Sequence, residues 1–188
     1  AVADLIRKLF YLPQGLVLVT GPTGSGKTTT LYAGIQARLK HSPTNKLVTA
    51  EDPIEYEIDG INQTQINEKV GLSFARQLRA ILRQDPDVIL VGEMRDLETI
   101  QLAISAAETG HLVFGTLHTS SASQTVDRMV DVFPPAQQTQ IRVQLSSSLA
   151  AIFAQTLCRR RSTAAGQFGR IVAQEILFNS PAIANLIR

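Results

Sequence analysis

The densest chemical signal in the sequence is a glycine-rich segment that ends in a lysine and a threonine. Residues 21–28 read GPTGSGKT and match the pattern G-x-x-x-x-G-K-[ST] at every constrained position. Glycines let the backbone curl so that its N–H groups converge, and such a curl can surround the oxygens of a phosphate group. The segment therefore predicts a phosphate-binding loop for a nucleotide.

The residue types in this loop suit different parts of a bound nucleotide. Lys27 would reach the β- and γ-phosphates as a point charge, and the hydroxyl of Thr28 would bind a magnesium ion. The alternative interpretation is a glycine-rich turn that joins a strand to a helix. We expect the nucleotide-binding set to be Gly21, Pro22, Thr23, Gly24, Ser25, Gly26, Lys27, Thr28 and Thr29.

The acidic residues that could complete such a site follow apolar runs typical of buried strands. Glu93 closes the run at 88–91 and is expected to hold magnesium, directly or through a water, from a strand beside the phosphate loop. Glu51 closes the run at 47–50 and is the candidate for orienting and deprotonating the attacking water, with Asp52 and Glu55 as alternates. The competing interpretation is that these acids are surface or capping residues.

Histidines and arginines supply further candidates. His118 follows another predicted strand and would touch the γ-phosphate or report its loss, while His111 lies at the other end of that strand. Arginines that could stabilise transition-state charge, within one subunit or across an interface, are also present, although arginine on a helix flank is usually solvated. They are Arg79, Arg83, Arg95 and Arg128.

The elements that must position these residues alternate between strand and helix. Periodicity predicts helices at 4–12, 27–40, 72–84, 97–108, 123–132 and 135–154 and a last one from residue 181. Apolar runs predict strands at 16–19, 47–50, 61–66, 88–91, 112–116 and 170–177. This succession predicts an α/β fold, a largely parallel sheet with helices on both faces, whose strands carry the site at their carboxyl ends.

Composition restricts the classes of function. The 188 residues suit one domain, and 18 Lys+Arg against 16 Asp+Glu give a net charge of +2, which requires neither nucleic acid nor an anionic membrane as partner. No apolar stretch reaches the roughly 20 residues of a transmembrane helix, so we expect a cytoplasmic domain without a transmembrane segment. The lone Cys158 offers no internal disulfide and is expected to pack in a strand.

Together these motifs resemble the motor domain of the type II/IV secretion ATPases, and within that family the type IV pilus retraction ATPases. Residues 51–56 (EDPIEY) resemble the Asp box, residues 82–96 the Walker B segment, and residues 109–119 the His box of the family. The resemblance implies a RecA-like P-loop NTPase that hydrolyses ATP with Mg²⁺. By position it makes Lys27, Glu51, Glu93 and His118 catalytic and Thr28 and Glu93 magnesium-binding.

The same resemblance implies an organisation and partners. The family forms homo-hexamers in the cytoplasm, peripheral at the inner membrane, and moves pilin through an inner-membrane platform protein at the pilus base. Residues 1–14 would be the end of an interdomain linker and residues 15–188 the motor domain, with the N-terminal domain of the family absent and the C-terminal tail truncated. That N-terminal domain normally supplies arginines to the nucleotide.

Two features favour retraction over pilus assembly or type II secretion. The assembly and secretion enzymes usually carry a tetracysteine zinc element, and here only Cys158 is present. Residues 182–188 (AIANLIR) resemble the AIRNLIR motif of retraction enzymes, with Ala184 in place of an arginine. A RecA-like nucleic-acid-binding ATPase is the remote alternative, but 5% aromatic residues and a near-neutral charge argue against a surface that binds strands.

Overall fold

The computed structural model describes the backbone of residues 2–160 and 169–188, with side chains from residue 6 onward within those ranges. The α-helices in those ranges are α1 (Val2–Phe10), α2 (Lys27–His41), α3 (Phe74–Leu82), α4 (Leu97–Glu108), α5 (Ala122–Asp131), α6 (Pro135–Ser148) and α7 (Pro181–Ile187). The strands are β1 (Gly15–Thr20), β2 (Leu47–Glu51), β3 (Asn62–Gln65), β4 (Val88–Val91), β5 (Leu112–Leu117), β6 (Leu149–Arg159) and β7 (Arg170–Phe178).

These strands form one sheet in the order β3-β2-β4-β5-β1-β6-β7. Every neighbouring pair is parallel except β6 and β7, which pair antiparallel. The predicted fold class, an α/β fold with a largely parallel sheet covered by helices, is therefore confirmed. In such a sheet the carboxyl ends of the parallel strands lie along one edge, where ligands bind.

The centre of the sheet is buried on both faces, as continuous apolar strands require. All residues of β1, β2, β4 and β5 are buried. Alternate residues of β1 enter two separate cores, Leu16 and Leu18 one with α3 to α6, Val17 and Val19 the other with α1 and α2. The strand that leads into the phosphate loop is thus fixed from both sides.

The end of α1 packs on α2. The Phe10 ring stacks on Phe114, with centroids 4.9 Å apart, and a Cβ at Gly34 would lie 1.8 Å from the Phe10 ring, so only glycine fits there. The Arg38 guanidinium donates to the carbonyls of Phe10 and Leu12 at 2.9 and 2.8 Å. Burial lowers the pKa of Arg38, with the charge of Asp87 opposing that shift. The boundary between linker and motor domain at residue 14 stays a prediction.

Two features of the sheet differ from the sequence analysis. The helix predicted to reach Ala154 ends at Ser148, because residues 149–154 are the first half of β6 and pair with β1. The continuous apolar run there suits a buried strand as well as a helix, and pairing with β1 decides between them. Cys158 does lie on β6 but is exposed. Among the described helices, none combines the length and apolar character of a membrane span.

Candidate nucleotide-binding site

The loop between β1 and α2 has the curled backbone that its glycines predict. Gly21, Gly24 and Gly26 have φ angles of 142°, 77° and 87°, a region that other residues rarely adopt. Gly21 is required for a second reason, since a Cβ there would lie 2.2 Å from the carbonyl oxygen of Gln155. The α2 helix begins at Lys27, so its positive dipole end faces the concave side of the loop.

A buried glutamine supports the loop from β6. The Gln155 side chain donates through Nε2 to the Ser25 carbonyl at 2.9 Å and accepts through Oε1 from Thr30 Oγ1 at 3.0 Å. The Ser25 hydroxyl is buried with no hydrogen-bond partner in the described part of the chain. A buried hydroxyl without a partner costs free energy, and a phosphate oxygen is an acceptor that would satisfy it.

Lys27 lies inside the loop. Its Nζ donates to the carbonyls of Gly21 and Pro22 at 2.8 and 3.1 Å. Burial lowers the pKa of Lys27 and the negative charge of Glu93 opposes that shift. A half-buried ammonium group with a carboxylate nearby is the arrangement expected for a lysine that binds phosphate.

The loop opens into a polar cleft of about 620 Å³. Its lining unites the loop, the ends of the central strands and the start of β7. The cleft is lined by Thr23, Gly24, Gly26, Lys27, Thr28, Thr29, Asp52, Glu55, Tyr56, Gly92, Glu93, Arg95, Thr116, His118, Leu157 and Arg170. The predicted residues Lys27, Thr28, Glu93 and His118 are therefore brought together.

Glu93 forms the acidic centre of the cleft. One carboxylate oxygen lies 2.8 Å from His118 Nε2, and Arg95 forms an ion pair with the same carboxylate. Burial raises the pKa of Glu93, but the hydrogen bond from Arg95 and the charges of His118 and Arg95 outweigh it and lower the pKa below its ordinary value. Glu93 is therefore ionised at neutral pH, which a metal ligand must be.

Glu51 is absent from the cleft lining and lies in a smaller pocket that adjoins the cleft. The residue is only 3% exposed and lines a smaller pocket with Thr28 and Asp52. Its carboxylate accepts hydrogen bonds from Tyr32, from Thr49 Oγ1 at 2.5 Å and from Gln63 Nε2 at 3.1 Å. Asp52 and Glu55 line this pocket as well as the cleft, so the structure distinguishes the three acids by burial: Glu51 is buried, whereas Asp52 and Glu55 are exposed.

The remaining candidates are mostly placed elsewhere. The Nδ1 of His111 lies 3.0 Å from the Ala106 carbonyl at the opposite end of β5 from His118. Arg79 pairs with Glu98 on the surface. Of the four predicted arginines, Arg95 is the one in the cleft lining, while Arg83 and Arg128 are outside it.

The sheet order also corrects the expected neighbour of the phosphate loop. The strand that precedes Glu93 was expected beside the loop, and this is wrong because β5 lies between β4 and β1. His118, at the end of β5, is therefore carried by the strand next to the loop. The sequence alternation defines a parallel sheet but leaves its strand order open.

Sequence reasoning missed several residues that contact or support the cleft. Arg170 lies in its lining at the first position of β7, and Tyr56 lies in it on the loop after β2. Gln155, which is buried, and Gln63, which is half-buried, hold the surrounding backbone through side-chain hydrogen bonds. No local pattern marks these residues, since their roles depend on which strands become neighbours.

The donors present suit magnesium better than a metal held by protein ligands alone. Within the described residues no group of three or more His, Cys, Asp and Glu side chains is arranged to hold a metal. Mg²⁺ usually keeps several waters and takes one or two protein ligands together with substrate phosphates. The hydroxyl of Thr28 and the ionised carboxylate of Glu93 line the same cleft and meet that need.

Fold and site together define a P-loop nucleotide-binding domain. The chain belongs to the family of type II/IV secretion system proteins, whose model matches residues 2–184. The resemblance that the three sequence boxes indicate is thus confirmed.

Curated relatives come from both pilus and secretion systems. The chain is 49% identical over its whole length to the "Type IV pilus retractation ATPase PilT" of Pseudomonas aeruginosa and covers 54% of that protein. It is 55% identical over 83% of its length to the "Type II secretion system ATPase E" of Vibrio cholerae, of which it covers 29%. The chain therefore spans about half the length of the pilus relative, and less of the secretion relative.

Solved structures agree with this assignment. The structure of the "Pilus Retraction Motor PilT and Bound ADP" superposes with a TM-score of 0.89 at 49% identity, covering 98% of this chain and 53% of that one. The ATPase DotB of Legionella pneumophila superposes with a TM-score of 0.86 at 32% identity, covering 97% of this chain and 50% of that one.

Proposed function

We propose that the chain is the motor domain of a homo-hexameric ATPase that hydrolyses Mg-ATP to power retraction of a type IV pilus. The observation that carries the proposal is the convergence of Lys27, Thr28 and Glu93 on one polar cleft at the mouth of a glycine-curled loop. The 49% identity to a pilus retraction ATPase and the ADP bound in the solved structure of a pilus retraction motor support ATP as the substrate.

Each residue has a defined task in this proposal. The backbone N–H groups of residues 24–28 and the Lys27 ammonium bind the β- and γ-phosphates, and the dipole of α2 adds to their field. Thr28 and Glu93 are the residues that would hold Mg²⁺, which neutralises charge on the transferred phosphoryl group. His118 lies 2.8 Å from Glu93 through its Nε2 and would contact the γ-phosphate from the cleft lining.

The acid that orients the attacking water is better assigned to the loop after β2 than to Glu51. Asp52 and Glu55 are exposed and line the cleft, whereas Glu51 is buried with its carboxylate engaged by three side chains. A water-orienting carboxylate needs a free oxygen facing the substrate. Asp52 and Glu55 are the exposed acids that would take this role, and Glu51 would stay bonded to its three donors.

The partners follow from the family. The working form is a homo-hexamer, cytoplasmic and peripheral at the inner membrane, that acts on the platform protein at the pilus base. Arg95, 71% exposed at the cleft, and Arg170 are placed to meet phosphates in the same subunit or a surface of the next one. No nucleic acid is a partner in this proposal.

Removal of the Lys27 ammonium tests the enzymatic part of the proposal. In the purified, assembled protein Lys27→Ala should lower the ATPase rate about 100-fold or more, the usual cost of losing a group that stabilises transition-state charge. The control Lys69→Ala removes an exposed lysine and should leave the rate unchanged. Undiminished hydrolysis by Lys27→Ala would refute the assignment of this cleft.

A second candidate function is pilus assembly or type II secretion. The observation in its favour is the 55% identity to a type II secretion ATPase over 83% of the chain. Deletion of the gene separates the alternatives, because loss of a retraction motor leaves cells with excess pili that do not retract. Cells without pili, or cells that fail to secrete, would support the second candidate instead. Salt-dependent binding of single-stranded DNA would support the remote nucleic-acid alternative.

A further inference from the structure

Behind the cleft lies a group of buried polar side chains that the proposed chemistry does not use. Glu51 on β2 accepts hydrogen bonds from Tyr32 of α2, from Thr49 of its own strand and from Gln63 of β3. Burial of a carboxylate is costly unless several donors compensate it, and here three do. Burial and the hydrogen bond to Glu51 raise the pKa of Tyr32, so its hydroxyl remains a donor at any physiological pH.

Gln63 connects this group to the loop that carries the cleft acids. Its Oε1 accepts the backbone N–H of Ile58 at 2.7 Å, and its Nε2 lies 3.2 Å from the Tyr56 carbonyl as well as 3.1 Å from Glu51. Both ends of one carboxamide thus bond to backbone in the segment between β2 and β3. These two backbone contacts come one and three residues after Glu55.

The same segment is held on its other side by aromatic packing. The Tyr56 ring meets the Tyr32 ring edge to face, with centroids 4.7 Å apart and planes at 85°. Tyr32 lies five residues after Lys27 on α2, so it joins the helix that begins at the phosphate loop to the loop that carries Glu55. The relative position of phosphates and acids is therefore set through Tyr32 and Gln63.

We propose that Gln63 is a positioning residue that clamps the backbone at Tyr56 and Ile58 and so presents Glu55 and Asp52 to the phosphate cleft, with buried Glu51 as the anchor of the clamp. Gln63 is absent from the cleft lining, so in this proposal it acts through these acids. The inference rests on the proposed ATPase function. It assigns a role to Gln63 and Tyr32, which lie outside the three family boxes, and to Glu51, the first acid of the Asp box.

The first experiment removes the clamp and measures rate and affinity separately. Gln63→Leu in the purified protein should lower kcat for ATP roughly tenfold to 100-fold, since a displacement of about 1 Å at a reacting group can cost about 100-fold. The affinity for ADP should change by less than about twofold, because the phosphate loop is untouched. Gln65→Leu, the same change on an exposed residue of the same strand, is the matched control and should leave kcat unchanged.

A second measurement does not depend on hydrolysis. Hydrogen exchange at the Ile58 amide should be faster in Gln63→Leu than in Gln65→Leu, because its acceptor is lost. Unchanged kcat together with unchanged Ile58 exchange would overturn the proposal. Absence of ATP hydrolysis by the unmodified protein, with Ile58 exchange still dependent on Gln63, would instead contradict the proposed function and leave the clamp standing.

A second variant keeps the shape of the side chain and adds a pH signature. Gln63→Glu retains the acceptor for Ile58 but places a carboxyl against Glu51, with the Tyr32 hydroxyl as the other titratable group that faces it. Like charges at this distance raise the pKa of the introduced carboxyl, so the protonated form can donate to Glu51 as the amide does.

The kcat of Gln63→Glu should therefore recover towards the unmodified value as the pH falls through that raised pKa. The unmodified protein should show no such rise over the same range. A pH profile of Gln63→Glu parallel to that of the unmodified protein would overturn the proposal, also in the case that Gln63→Leu fails to fold.

Discussion

Two glutamates at the ends of neighbouring strands have opposite surroundings. Glu51 closes β2, is 3% exposed and bonds to neutral donors from α2, β2 and β3. Glu93 follows β4, lies in the cleft and bonds to Arg95 and His118. In the sequence both are acids after an apolar run, so the same pattern produces one acid that is buried among hydrogen-bond donors and one that lines the cleft.

The difference arises from a small offset at the strand ends. β2 and β4 run parallel with Ala50 beside Val91, so Glu51 is the first residue after that pair on its strand, and Glu93 the second on the other. β4 ends at Val91, so Glu93 lies beyond the strand. Glu51 is still paired in the sheet, opposite Gln65 of β3, and its side chain is buried.

The largest expected effect is on ATP turnover, when Glu93, the acid in the cleft, is changed. Glu93→Gln should lower ATP turnover about 100-fold to 1000-fold, because the neutral amide is a poor magnesium ligand and leaves charge on the phosphates uncompensated. Steady-state ATPase assays at saturating magnesium measure this loss. The control Glu98→Gln alters a surface glutamate of α4 and should retain full activity. Equal activity of Glu93→Gln and Glu98→Gln would remove Glu93 from the chemistry.

The next largest effect is expected on the free energy of unfolding, when Glu51 is changed. Glu51→Gln should lower the free energy of unfolding by about 1–3 kcal/mol, because an amide group in place of one carboxylate oxygen cannot accept the buried hydrogen bonds made there. Denaturant titration of Glu51→Gln and Glu93→Gln side by side measures the contrast. A destabilisation that is larger for Glu93→Gln than for Glu51→Gln would reverse the comparison.

A smaller effect is expected on the pH dependence of stability, through the ion pair between Glu93 and Arg95. Arg95 and His118 lower the pKa of Glu93, so its ionised form adds stability that is present above the ordinary pKa of a glutamate and is lost as the pH falls through the lowered value. The protein should thus lose stability below about pH 4.3, and Arg95→Ala should reduce that loss.

Denaturant titrations of both proteins between about pH 7 and about pH 3 provide the comparison. Identical slopes of stability against pH for the two proteins would show that Arg95 does not set the ionisation of Glu93.

Much of the fold follows from local patterns, but the end of α6 and the strand order do not. The phosphate loop and the start of α2 depend on Gly21, Gly24 and Gly26, whose positive φ angles are a local property of the backbone. The end of α6 and the strand order depend on which distant strand pairs with which, and a run such as 149–154 is compatible with either structure.

The site shows the same division. The sequence predicts that four residues of the site meet in one cleft, because the carboxyl ends of parallel strands share an edge. They are Lys27, Thr28, Glu93 and His118. The burial of Glu51 could not, since it depends on Tyr32 and Gln63 from two other elements. The clamp residues lack a motif for the same reason.

The smallest effect is expected for an arginine that the sequence made a candidate. Arg79 pairs with Glu98 at the surface, with 57% of its side chain exposed. Arg79→Ala should change the free energy of unfolding by about 0.5 kcal/mol or less and should leave ATP turnover unchanged. Thermal denaturation and the ATPase assay check both statements. A loss of turnover in Arg79→Ala would place this arginine in the chemistry and the cleft would then be wrongly bounded.

A structure of the protein with a non-hydrolysable ATP analogue and magnesium tests the central claim most directly. The account predicts phosphates against the N–H groups of residues 24–28, the metal between Thr28 and Glu93, and Glu51 still bonded to Tyr32 and Gln63 behind the cleft. Phosphates bound elsewhere, or Glu51 turned out to meet the metal in place of Glu93, would contradict it.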